Sequence, residues 1–100
     1  MKSLKNKSKI DELFTTNCGK LYTPTVKARF ISGDSEVLIS APSKIFKKAV
    51  DRNRIKRLMK ESIRTKMIEG FTIAFIYNSS KIEDFKTIDK DIQKIFDNIK

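Results

Sequence analysis

A chain of 100 residues that is 39% hydrophobic, with seven Phe and two Tyr, has material for one modest core and too little for two domains. Its 22 Lys and Arg against 12 Asp and Glu leave a formal charge of +10, an excess that points to a polyanionic partner, nucleic acid first. With no histidine and one cysteine, Cys18, the composition excludes His-based triads, an internal disulfide and a thiolate zinc cluster. The longest uncharged stretch, Gly70 to Ser80, is too short and too polar to span a bilayer. The first residues carry no apolar h-region of a secretory signal, so a cytoplasmic protein without a membrane partner is expected.

Met1 to Lys9 is polar and basic, and residues 1–7 read as a flexible basic arm on a single RNA-binding domain spanning 1–100. Ser8 stands three residues before Asp11, as in a capping box. Ile10, Leu13 and Phe14 follow at helical spacing until Asn17, Cys18 and Gly19, which predicts a short first helix. Tyr22 to Ser32 alternates Val26, Ala28 and Phe30 with Lys27, Arg29 and Ile31, the period of a half-buried strand. Gly33, Asp34 and Ser35 read as a turn and Glu36 to Ala41 as the returning strand, so the pair is expected to form a hairpin.

A basic helix is predicted over Lys48 to Ile68, closed by Gly70. Phe71 to Tyr77, FTIAFIY, has the apolar and β-branched content of a central strand. Asn78 to Asp84 is a loop. Ile88, Ile92, Ile95, Phe96 and Ile99 mark an amphipathic last helix. Helices laid against one sheet, an α+β sandwich, follow from this order.

The basic helix is divided lengthwise. At about 100° per residue, Ile55, Leu58, Met59 and Ile63 share one arc, while Arg54, Lys56, Arg57, Lys60 and Arg64 fill the other. A merely solvated face would mix signs to allow i,i+4 pairs. Between Lys44 and Lys66 there are ten cations and two acids, Asp51 and Glu61. Such crowding opposes folding by self-repulsion, and a nucleic acid relieves it by releasing condensed counterions. Arg52 and Arg54 flank Asn53, an amide that both donates and accepts, and the planar guanidinium suits phosphates and base edges.

The stretch KKAVDRNRIKRLMKESIR, Lys47 to Arg64, resembles the signature helix of the bacterial ribonuclease P protein family, with Arg52, Asn53, Arg54, Ile55, Lys56 and Arg57 as its core. The similarity extends to DELF and its following glycine, to VLISAPSK and to FTIAFIY, nearly the whole chain. It implies one small α-β-β-β-α-β-α two-layer sandwich with a left-handed βαβ crossover, and a short extra strand near Lys20 to Tyr22. It also implies the protein subunit of a ribonucleoprotein endonuclease that removes the 5′ leader of precursor tRNA. In that family the catalytic RNA holds the Mg²⁺, which fits a chain without histidine. The free protein is expected to be a monomer.

The same resemblance distributes roles. Lys47, Lys48, Arg52, Asn53, Arg54, Lys56, Arg57, Lys60 and Arg64 are expected to dock on the catalytic RNA, with Ser43 and Lys44 holding backbone phosphates. Phe14, Ile10, Val26 and Ala28 are expected to line a cleft for the unpaired leader, no residue is expected to be catalytic, and metal contacts stay open. Alternation separates Val26 and Ala28 from Lys27 and Arg29 without naming the wet parity, and Phe14 beside Leu13 reads equally as core. Cys18 reads as a small packing residue. Ile10 stands where the family commonly has an aromatic, Ile45 where it has a second lysine and Lys47 where it has glycine.

Other functions are weaker on the residues. A ribosomal or other structured-RNA-binding protein explains the charge equally well, and the Arg-Asn-Arg helix in its context argues against it. A DNA regulator would need a helix-turn-helix or dimerising element, and a protein nuclease would need a carboxylate constellation. Neither pattern is present in the sequence.

Overall fold

Phe71–Tyr77 is apolar on both parities, and a strand with two greasy faces is stable only when covered above, below and at both edges. The computed structural model, which describes residues 2–3, 11, 13–14, 18–33, 35–66 and 70–99, puts it in the middle. The strands are β1 (Lys2–Ser3), β2 (Gly19–Tyr22), β3 (Val26–Ser32), β4 (Glu36–Ser40) and β5 (Phe71–Tyr77); the helices are α1 (Ala49–Arg64) and α2 (Phe85–Ile99). They form one sheet in the order β1-β4-β5-β3-β2. Among the described residues no helix is long and apolar enough to cross a membrane.

The expected hairpin between Tyr22–Ser32 and Glu36–Ala41 does not form. β5 lies between β3 and β4, antiparallel to the first and parallel to the second. The turn signal at 33–35 is real, but it spans a strand instead of joining neighbours. Gly33 N–H donates to the Gly70 carbonyl at 3.0 Å, and Gly70 N–H donates to Ser35 Oγ at 3.2 Å, so the turn grips the entry to β5. Gly70 adopts φ +84°, open to glycine at little cost. Two strand spacings, roughly 10 Å, are within reach of the three linking residues.

Tyr22 belongs to β2, not to the strand expected to start there, and β2 pairs with β3 from Gly19↔Phe30 to Tyr22↔Lys27. This is the short extra strand that the resemblance implied. β4, α1 and β5 make the parallel crossover. Within the arm expected to be flexible, Lys2–Ser3 pairs in parallel with Glu36–Val37. Of the expected first helix, Asp11 and Leu13 are helical, and Phe14 N–H donates to the Asp11 carbonyl at 3.1 Å; Ile10 lies outside the described residues.

The core sits between one sheet face and both helices. Val26, Ala28, Ile73, Phe75 and Tyr77 meet Ile55, Met59 and Ile63 of α1 and Ile88, Ile92, Ile95 and Phe96 of α2. Fully burying each large side chain is worth roughly 1.5–3 kcal/mol. On the opposite face Leu13, fully buried, packs on Ala74 beside Ile31 and Leu38.

α1 ends at Arg64, earlier than expected, where Lys66 N–H donates to the Ile63 carbonyl and Thr65 Oγ1 to that of Ser62, each at 2.9 Å. Asp89 accepts from Ser62 Oγ at 2.7 Å and from Lys66 Nζ at 2.5 Å, tying α2 to this end of α1. Buried Asp91 accepts from Thr25 N–H and Oγ1 and fastens the β2–β3 turn to the same helix.

Candidate nucleic-acid interface

The greasy stripe of α1 fixes its rotation, and the rotation decides which cations face outward. With Ile55 and Met59 fully buried and Ile63 nearly so, Asn53, Arg57, Lys60 and Arg64 emerge exposed at i, i+4, i+7 and i+11, a single ridge. Arg54 flanks it, exposed, and Lys56 is half-buried along the side. Ser43, Lys44, Lys47 and Lys48 are exposed on the loop leading into the helix. Among the described residues only Arg64 of this set has an acidic partner, Glu61, at 2.8 Å. Among the described residues the positive field is therefore largely uncompensated.

Arg52 differs from its neighbours. Its Nη1 donates to the carbonyl oxygens of Phe46 and Lys47, both at 2.8 Å. It holds the bend of the loop that presents Lys44 and Lys47, work that periodicity could not reveal.

The second candidate surface is the sheet face away from α1 and α2. Val26 and Ala28, expected there, are buried in the core at 0% and 1% exposure, so their assignment to a cleft is corrected. The other parity faces outward because α1 and α2 both pack on the side that Val26 and Ala28 face. The open face carries Lys20 and Tyr22 of β2, Lys27, Arg29 and Ile31 of β3, Ala74 and Ile76 of β5, and Leu38 and Ser40 of β4. Leu13 covers part of it, leaving Phe14 beside it 47% exposed, with Arg29 Cζ 5.1 Å from the ring centroid. Lys27 Nζ lies 5.9 Å from the Tyr22 centroid. Charges confined to one parity of β3, Lys27 and Arg29, were the signal that could have named the wet side. Cys18 is half-buried, 4.0 Å from Arg29 Nη1.

Among the described residues no three His, Cys, Asp or Glu side chains converge where a metal ion could be held. The arrangement offers two cationic surfaces, one a ridge and one a sheet face with aromatic rings. The first suits phosphates on a structured duplex, the second an unpaired strand.

Comparison with known proteins agrees in sequence and in fold. The family model for Ribonuclease P matches residues 1–100. The ribonuclease P protein component of Porphyromonas gingivalis is 37% identical over 71 residues, covering 60% of this chain and 51% of that protein. That of Clostridioides difficile is 44% identical over 66 residues, covering 61% and 57%. This chain thus spans about half the length of the curated relatives it matches. Its fold superposes on the RNase P protein of Thermotoga maritima with a TM-score of 0.85, at 22% identity, over 100% of this chain and 99% of that one. The Staphylococcus aureus RNase P protein gives a TM-score of 0.84 at 17% identity, over 100% and 96%. With all 100 of its residues matched by that family model, the chain belongs to the ribonuclease P protein family.

Proposed function

We propose that this chain is the protein subunit of a cytoplasmic ribonuclease P, which binds the catalytic RNA and the 5′ leader of precursor tRNA and promotes endonucleolytic removal of that leader. The observation that carries this reading is the ridge of Asn53, Arg57, Lys60 and Arg64 standing opposite the buried stripe of Ile55, Met59 and Ile63. Phosphates of a folded RNA relieve the repulsion along such a ridge. The loop residues Ser43, Lys44, Lys47 and Lys48, with Arg54 and Lys56, widen the docking surface. Phe14 and Arg29 on the open sheet face take the unpaired leader, since stacking on a ring tolerates any base. Mg²⁺ is held by the RNA, whose metal-activated water needs no protein base. With its high positive charge the free protein repels its own copies and stays monomeric.

The test mixes the purified chain with a bacterial ribonuclease P RNA and a leader-bearing tRNA precursor at low Mg²⁺. Stimulated cleavage at the mature 5′ end is expected. A chain that binds both RNAs yet leaves the cleavage rate unchanged would instead be a structured-RNA binder.

A further inference from the structure

The open sheet face holds a second pairing of ring and cation that the contact at Phe14 leaves unused. Tyr22 ends the edge strand β2 at 63% exposure, and its cross-strand partner Lys27 places an ammonium 5.9 Å from the ring centroid. In the next row of the same face, Lys20 pairs with Arg29, whose guanidinium lies over Phe14. The two rows are two residues apart along the strand, roughly 6.5–7 Å, a spacing suited to successive bases of an extended, unstacked strand.

Coverage divides the rows. Leu13 seals the patch of Ala74, Ile31 and Leu38, whereas the row Tyr22, Lys27, Ile76 and Ser40 lies outside that contact. Ser40 then leads in three and four residues to Ser43 and Lys44. A strand lying along the outer row therefore runs toward the loop that feeds α1.

We infer that Tyr22, with Lys27 and Lys20, is a second base-binding position for unpaired RNA. The ring stacks one nucleobase while the two ammonium groups hold the flanking phosphates. Charge complementarity selects the occupant: the face presents Lys20, Lys27 and Arg29. The inference rests on the reading of the open face as the site of the leader, and extends its footprint by one row.

The chain supplies its own reporter. It has no Trp and two Tyr, and Tyr77 is fully buried, leaving Tyr22 as the ring a base can reach. The full chain is titrated with a short unstructured pyrimidine RNA while tyrosine emission is followed. Binding is expected to quench the wild type. Tyr22→Phe should keep the affinity and lose the quenching, and Tyr22→Ala should weaken binding about tenfold with an unchanged circular dichroism spectrum. If Phe14→Ala weakens binding while Tyr22→Ala does not, the open-face reading stands and the second position falls. Quenching that persists in Tyr22→Phe also overturns it. If the oligonucleotide does not bind at all, both the leader reading and this extension fail.

Discussion

Arg52 Nη1 donates to the carbonyl oxygen of Phe46 at 2.8 Å, and the same nitrogen reaches Lys47 O. Signature arginines are thus not equivalent: one is spent within the protein while Arg54 and Arg57 face solvent. Arg52→Ala should lower the unfolding free energy by about 1.5–3 kcal/mol, the range for hydrogen bonds that involve a charged group. Urea denaturation measures it, and an unchanged midpoint would show that the loop does not depend on this residue.

Arg57 and Lys60 stand on the ridge with no acidic partner among the described residues. Replacing either with Ala should leave the urea midpoint within about 0.5 kcal/mol. Each change should instead reduce the slope of log affinity against log salt for the catalytic RNA by about 0.7–0.9. Filter binding over a salt series gives the slopes, and slopes equal to the wild type would remove these residues from the interface.

Phe14 keeps nearly half its surface exposed beside Arg29. Phe14→Ala should weaken binding of precursor tRNA by roughly 1–3 kcal/mol and leave mature tRNA unaffected. Equal losses for the two substrates would identify Phe14 as a packing residue.

Hydrogen bonds from Lys66, and then Ser62, hold the Asp89 carboxyl below the usual carboxylate range. A depressed folded-state value means the contribution is present above the unfolded value near 4 and is lost as pH falls through the folded one. Asp89→Asn should therefore destabilise the protein at neutral pH by no more than about 1 kcal/mol, because the carboxyl is partly solvated. It should also flatten the loss of stability below pH about 4. Thermal melts across pH 2 to 7 would check this, and parallel curves for both proteins would contradict it.

Tyr77 is buried, its hydroxyl donating to the Lys81 carbonyl at 2.6 Å and accepting from Glu83 N–H at 2.9 Å. Burial pushes its phenol above the ordinary tyrosine value, so its stabilising effect is complete below about pH 10 and is lost as pH rises further. Tyr77→Phe should cost about 1–2 kcal/mol at neutral pH and reduce the alkaline loss, as read from denaturant titrations at both pH values.

What could be read from the chain was whatever repeats locally. The 3.6-residue spacing of Ile55, Met59 and Ile63 placed the ridge, because a helix that buries one stripe must expose the opposite one. The runs FTIAFIY and Ile88 to Ile99 located the central strand and the last helix for the same reason. Two misreadings have one origin. The turn signal at 33–35 suggests a hairpin and the resemblance suggests a cleft role for Val26 and Ala28, and both fail because neither strand pairing nor sheet coverage is a local property.

The amino-acid order by itself determined the signature helix, the last helix, the strands β3, β4 and β5 and the positive excess, since spacing and charge act over a few residues; β1 and β2 were not among them. Only the tertiary structure decided that β5 enters between β3 and β4, that Lys27 and Arg29 share a face with Tyr22 and Phe14, and that Arg52 turns inward to the Phe46 carbonyl. Those outcomes depend on which surfaces are covered when distant segments meet, and the most apolar strand takes the centre because it alone needs shelter on every side.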